Sequence, residues 1–565
     1  MKKILSTIIA LTIALTTMFT FSGCQTGEKI DPNRTQIYVS VQSLGVGYQF
    51  AYNLKTEYEK YNKDAQVIII ENGTADAAAE ISNGGYDVYM ITNATIGQYV
   101  KLADNTSDYF VDLTDVITDG ENSIHDRLFD SSRDYYNVGT STQPKYFALP
   151  WFTSYYGTVY DVDLFEANHY FSNDEESVLA YEGYDGIAGN EDDNWGPDGK
   201  ENTFDDGLPA TYGDLKQLML IMKGDEVTPF SWTSFPGYAE SWLSYIWSAY
   251  EGQNYTIMTD FEGEYFYKEY DETQEDYVTK SKIIDNTNGY EMAYQNGKYA
   301  AIKVAEDIIG GNYYLPASLF SSQGNIIAQT AYLNSVESST TKPIAFLFEG
   351  TWWENEAKSI FNEMATNINK KYAYKTRKFG FMPFPRFVGE GLPDGVIPQW
   401  NEKVSIRGGD IGDSCSLVGV SKKSSCIDMA KDFVKFAYSE AMCANFNVAS
   451  GCGRPLQYSM SPEQLNQITY YQKQVYEIAQ LSKDPNSNVE VVSGQNRGIY
   501  ISTDPNFVED IASFHTYKTG TTTKVTSPLD HFATAGAMTA EEYFAGIKRL
   551  VTKNLWDGKF GSLFN

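Results

Sequence analysis

The 565-residue chain is poor in cysteine, histidine and positive charge. Its four His (His125, His169, His515, His531) are scattered, and no C-x-x-C pair and no H-E-x-x-H occurs, which excludes the common zinc arrangements. Five Cys are too few for a disulfide framework in so long a chain. A short loop closed by Cys443 and Cys452 is compatible with export, and a reducing habitat leaves both as thiols. There is no G-x-x-x-x-G-K-[ST] and no G-x-S-x-G, so the chain is neither a P-loop ATPase nor a serine hydrolase of that type. Lys+Arg number 43 against 74 Asp+Glu, a formal charge of -31. Such a surface repels phosphates, which excludes nucleic acid as a partner and disfavours anionic ligands. Beyond residue 21 no stretch reaches the roughly 18 consecutive apolar residues that span a bilayer.

What the chain does hold is aromatic. It has 43 Tyr, 31 Phe and 9 Trp within a 42% hydrophobic composition, enough for a large core shared by two to four units. Lys2 and Lys3 precede an apolar run from Ile4 to Phe21, the layout of an export signal. Phe21-Ser22-Gly23-Cys24 resembles a bacterial lipobox, with Phe where Leu is usual. The resemblance implies removal of residues 1–23, lipid on Cys24, and a protein held at the outer face of the cell membrane. Residues 24–35 are polar, with Gly and Pro, and suit a tether.

Ile37, Val39 and Val41 alternate with polar residues, Phe50, Leu54 and Tyr58 recur every four residues, and Val67–Ile70 is a β-branched run. Strand, helix and buried strand at this spacing predict α/β architecture. Tyr86–Met90 and Leu417–Val420 read as further strands, and Met429–Tyr438 as a helix. Further along are YFALPW at 146–151, YGTVYD at 156–161, KPIAFLFEGTWW at 342–353, FGFMPFP at 379–385 and SGCGRP at 450–455. In this order, and together with the lipobox, these segments resemble the extracellular solute-binding proteins (family 1) of carbohydrate ABC importers. The resemblance implies a periplasmic-binding-protein-like type II fold, two α/β lobes joined by a hinge with ligand in the interlobe cleft. By that analogy lobe one comprises 36–150 plus 417–453, and lobe two 151–416 plus 454–565. It also implies importer permease subunits as partners of a monomeric chain.

The aromatic content agrees with a sugar ligand. A pyranose face is rich in C–H groups and is covered well by an aromatic ring, while its rim hydroxyls need donors and acceptors. Trp352-Trp353-Glu354-Asn355-Glu356 combines both and follows a strand, where α/β folds place ligands. One of the two indoles is expected to face the cleft; the sequence does not say which. Trp151, Ser154 and Tyr155 fall at the expected first crossover, as ligand contacts or as hinge packing. Trp232, in a loop-like segment, is a further candidate, whereas Trp242 and Trp247 have the spacing of a helix core face. In lobe one the candidates are Tyr48, beside Gly45 and Gly47, and Glu71, Asn72, Gly73 and Asn93, which follow strands. Arg454 is placed to donate to hydroxyls or to bridge the lobes.

Residues 183–207 hold an acidic repeat, G-Y-D-G ending in Asp192-Asp193 and G-P-D-G ending in Asp205-Asp206. Hard oxygen donors with Gly at the turns suit Ca²⁺, so Asp185, Asp192, Asp193, Asp198, Asp205 and Asp206 are expected to hold a structural calcium in a lobe-two insertion. Two other functions compete with sugar capture and delivery: an extracellular glycoside hydrolase, and a calcium-ordered surface adhesin. A hydrolase needs two carboxylates about 5–9.5 Å apart across the bond. Glu354 and Glu356 are only two residues apart, and nothing in the sequence supplies a distinct acid and nucleophile.

Overall fold

A computed structural model describes residues 28–43, 45–72, 81, 84–95, 109–234, 236–319, 324–338, 340–409, 414–492 and 511–560. The leader and Cys24 lie outside these residues, as does Gly73. Two four-stranded sheets organise the chain. In the first, strand Thr35–Gln42 pairs in parallel with Ala65–Asn72 on one side and with Val88–Thr95 on the other. The helix Gln49–Tyr61 connects the first two and buries Phe50, Leu54 and Tyr58, the four-residue stripe seen in the sequence. The fourth strand, Ser414–Val420, arrives from far along the chain and adds antiparallel to Val88–Thr95. The helix Ile427–Ala437 follows it and buries Phe433 and Val434.

The second sheet runs in the order Thr228–Ser231, Ile344–Gly350, Tyr156–Asp161, Phe379–Met382. Ile344–Gly350 is buried along its whole length because both faces are covered. Phe348 meets Tyr245 of the helix Pro236–Glu251 at 5.7 Å, while Leu347 belongs to a second apolar cluster with Trp353 and Phe379. The end of strand Tyr156–Asp161 is fixed by a buried ion pair, Arg377 Nη2 to Asp161 Oδ2 at 2.5 Å. Asp161 Oδ1 also accepts from the Leu164 N–H to cap the next helix.

The segments that pass between the sheets lie against one another. Leu149 bridges Val418, Thr153 bridges Gly453, and Tyr155 bridges Gly408. The Gly409 N–H donates to the Ser154 carbonyl at 2.7 Å, and a Cβ on Gly409 would lie 2.1 Å from Ser154 Oγ. The α/β, two-lobe type II architecture expected from the sequence is therefore the one observed. Lobe two carries additions that the sequence reading did not place: the hairpin Gly263–Asp271 with Asp276–Ile284, the hairpin Thr516–Thr519 with Thr522–Val525, and a parallel pair, Val404–Arg407 with Val489–Val492. Cys443 and Cys452 are separate buried thiols, so the short disulfide loop is absent. Among the described residues no helix is long and apolar enough to cross a membrane.

Candidate functional site

The two sheets bring their strand ends together at one junction. Strand Ile344–Gly350 ends in the turn Thr351-Trp352 and the short helix Trp353–Glu356. The adjacent indoles go opposite ways. Trp353 is 0% exposed, enclosed by Tyr332, Phe361, Phe379 and Tyr471. Trp352 is only half-buried and folds back over Gly350, where a Cβ would lie 2.3 Å from its ring. Tyr156 meets it edge-on at 5.4 Å.

From the other lobe comes the turn after strand Thr35–Gln42. Gly45 has φ +79°, and a Cβ there would sit 2.5 Å from Trp352 Cδ1 and 2.9 Å from Glu356 Oε1. A side chain at this position is excluded both by the left-handed backbone and by the indole. Asn355 Nδ2 donates to the Gly45 carbonyl at 2.9 Å, and a Cβ on Gly47 would meet the same amide at 2.8 Å.

Polar groups surround the rings. Gln329 Nε2 donates to Glu349 Oε1 at 3.2 Å and to Glu356 Oε2 at 2.9 Å, and Asn325 Nδ2 adds a bond to Glu356 Oε2 at 3.1 Å. Burial, reinforced by the Glu356 charge, pushes the Glu349 carboxyl up to about 8, so at neutral pH it carries a proton and can donate. Burial also raises Glu356 and holds the Tyr238 phenol well above its ordinary value, with Glu349 and Glu356 adding to the rise. The Arg407 guanidinium lies 4.8 Å from the Tyr156 ring centre. Aromatic faces interleaved with carboxyl, amide and phenol groups are matched to an uncharged polyhydroxyl ligand.

Several expected contacts lie elsewhere. Trp151, expected as the first residue of lobe two, is sealed against lobe one: it stacks on Phe50 at 5.0 Å and donates Nε1–H to the Ile91 carbonyl at 2.6 Å. Trp232 stacks on Trp242 at 4.9 Å in the lobe-two core, because the segment after Ser231 turns inward and its backbone N–H bonds Ser318. Trp242 and Trp247 are core, as expected. Ser154 and Tyr155 are buried at the crossovers, where they act as hinge packing. Glu354 points into lobe two: its Oε2 accepts from Thr469 Oγ1 at 2.5 Å, and burial raises its carboxyl to about 7. Arg454 is buried over Phe446 and Tyr438, with ring centres 4.6 and 4.9 Å away.

Tyr48 is half-buried beside the junction, with its hydroxyl on the Asn72 carbonyl at 3.1 Å. Glu71 accepts from the Tyr52 hydroxyl at 2.8 Å. Asn93 belongs to strand Val88–Thr95, and its side chain is outside the described residues. The six acids of the repeat form two separate loops in lobe two, and among the described residues no three His, Cys, Asp or Glu side chains make a metal group by themselves.

The sequence reading missed Tyr156, Glu349, Gln329 and Arg407. One signal was available: Glu349 is the single charge in the otherwise apolar strand IAFLFEG. The position of Tyr156 depends on its pairing opposite Gly350, which no local pattern encodes. A separate recess of about 360 Å³ opens at the crossovers, lined by Asp126, Asp130, Arg133, Tyr155, Gln457 and Lys483 among others. No Trp lines it.

No family model matches the chain, and no curated protein sequence does. Solved structures do resemble it. A structure described as a chitin oligosaccharide binding protein is 14% identical, with a TM-score of 0.52 over 93% of this chain and 99% of that one. The maltose-bound MalE3 of T. maritima is 13% identical, with a TM-score of 0.50 over 91% of this chain and 98% of that one. At this identity the likeness establishes the fold: that of two-lobed solute-binding proteins.

Proposed function

We propose that this protein captures an uncharged carbohydrate, an oligosaccharide rather than an ion or peptide, between its two lobes and delivers it to the permease of an ABC importer. On this reading it works outside the cell as a monomer, held at the membrane by lipid on Cys24, and releases the sugar unchanged. The observation that carries the reading is the half-buried Trp352, flanked by Tyr156 and Tyr238 and by the Glu349–Gln329–Glu356 network, on a fold shared with a maltose-bound protein. Trp352 touches the opposite lobe directly in this arrangement. Admitting a pyranose therefore means parting the lobes by about the 3.5–4 Å of one van der Waals contact layer. Ligand contacts made from both sides then favour closure, and the closed form is the one that docks.

The test is calorimetry of the mature protein against a panel of neutral oligosaccharides, with the sugar recovered and analysed afterwards. Micromolar binding and intact sugar are expected. Binding by none of the panel overturns the reading, and shortened products replace it with the hydrolase alternative.

A further inference from the structure

The acidic repeat folds as two copies of one loop, and the copies differ at a single functional place. In the first, the Asp185 N–H donates to Asp192 Oδ2 at 3.0 Å, the Ile187 N–H to Asp185 Oδ1 at 2.8 Å, and the Gly189 N–H to Asp193 Oδ2 at 2.8 Å. Thirteen residues on, the Asp198 N–H donates to Asp205 Oδ2 at 2.9 Å, the Lys200 N–H to Asp198 Oδ1 at 2.8 Å, and the Asn202 N–H to Asp206 Oδ2 at 2.8 Å. The frames are the same, and their interiors are not.

In the first loop the centre is filled by the Asn190 amide. Its Nδ2 donates to Asp185 Oδ2 and to the Ile187 carbonyl, both at 3.0 Å. Two acceptors meet two hydrogens. The second loop has Thr203 at that position. Its hydroxyl lies 2.9 Å from Asp205 Oδ1, 3.0 Å from the Lys200 carbonyl, 3.2 Å from Asp198 Oδ1 and 3.5 Å from Asp206 Oδ1. A hydroxyl has one hydrogen to give. Asp198 Oδ1 also takes the Lys200 N–H and Asp206 Oδ1 the Thr203 N–H at 3.3 Å, so the shortage falls on Asp205 Oδ1 and the Lys200 carbonyl, which one hydroxyl cannot serve together. Asp198 Oδ2, the counterpart of the atom that takes the Asn190 amide, is buried with no N–H or hydroxyl donor against it.

Burial makes the shortage costly. The first loop is largely exposed, whereas Asp198 is 1% exposed and Asp205 0%. The second loop is wedged under lobe two, with Gln474 Nε2 on the Phe204 carbonyl at 2.7 Å and Asn488 Nδ2 on the Asp198 carbonyl at 2.9 Å. Like charges buried together with unshared lone pairs are stabilised by a cation.

We propose that the second loop alone binds one calcium ion, through Asp198, Asp205 and Asp206 with the Thr203 hydroxyl and the Lys200 carbonyl, and that the first loop is a copy closed by its own amide. The donors are all oxygen, and they include a backbone carbonyl in an irregular loop, which suits Ca²⁺ better than the strict octahedron of Mg²⁺. Carboxylates alone do not complete the group; the hydroxyl and the carbonyl are part of it.

The experiment uses the mature protein stripped with chelator, then titrated with CaCl2 and, separately, MgCl2, by calorimetry and equilibrium dialysis, with melting followed in parallel. One equivalent of calcium and a rise in Tm of at least about 3 °C in excess calcium are expected. Asp205→Asn should weaken calcium at least tenfold and melt in chelator no lower than the unmutated protein, since its amide supplies the missing hydrogens. Asp192→Asn should bind as before. If Asp205→Asn does not fold, Thr203→Val, which removes the hydroxyl ligand, is expected to weaken calcium at least tenfold. No bound calcium, two equivalents, or an Asp192→Asn variant that loses binding would each overturn the proposal.

Discussion

The Asn355 side chain of one lobe hydrogen-bonds the Gly45 carbonyl of the other at 2.9 Å. This bond crosses the junction where Trp352 is held, so it links the site to the lobe arrangement. Its loss should favour separation of the lobes. Asn355→Ala is expected to expand the ligand-free protein in small-angle scattering and to weaken sugar binding by up to about tenfold, the worth of one net hydrogen bond. An unchanged scattering profile and unchanged affinity would remove the bond from the closing motion.

Trp352 and Trp353 should separate cleanly by mutation. Trp352→Ala removes a half-buried ring and should cost on the order of 1–3 kcal/mol of sugar binding, with less effect on Tm than the loss of the fully buried Trp353. Trp353→Ala opens a cavity among Tyr332, Phe361, Phe379 and Tyr471 and should cost about 3–5 kcal/mol of stability. Calorimetry and denaturant melts on both variants decide it. The reverse pattern would mean that the indoles have been assigned the wrong way round.

Glu349 gives a pH signature. Its folded carboxyl titrates at about 8 and its unfolded one near the ordinary 4.5. Between these values the folded chain holds a proton that the unfolded chain has released. Stability therefore falls as pH rises across that window, by at most about 1.4 kcal/mol per pH unit. Glu349→Gln should flatten this slope and be more stable than the parent at pH 8, as measured by urea midpoints at pH 5, 6.5 and 8. Parallel pH profiles would show that Glu349 ionises normally.

Gly45→Ala is expected to be worse than an ordinary surface change. The backbone there is left-handed, and the added methyl would contact the indole and the Glu356 carboxyl. A loss of affinity of tenfold or more with an intact fold is the expected outcome. Wild-type affinity would show that the turn moves freely.

The fold was legible because its signals are local and periodic. Ile37, Val39 and Val41 alternate into a strand, Phe50, Leu54 and Tyr58 line one helix face, and the apolar run at 344–348 is buried on both sides. The site was legible only in outline. The Trp352–Glu356 segment could be placed at a strand end, but Trp151 and Trp232 were not distinguishable from ligand-facing rings. A tryptophan at a crossover and one beside a Pro-Gly pair read alike, whether each stacks on sugar or on Phe50 and Trp242. Arg454 shows the same limit: a cation in a Gly-rich turn gave no sign that two aromatic rings enclose it. Tyr156 and Gln329 reach the junction only through long-range pairing.

The strand Ser414–Val420 completes the first sheet by pairing with Val88–Thr95, yet it follows all four strands of the second sheet in the sequence. As the chain is made, its early part must wait, with one sheet edge unpaired, until that late strand has emerged. The four strands of the second sheet can pair in the meantime. A chain interrupted before residue 414 would present the bare edge of Val88–Thr95 to its neighbours, and its fate would be association with them rather than a working half.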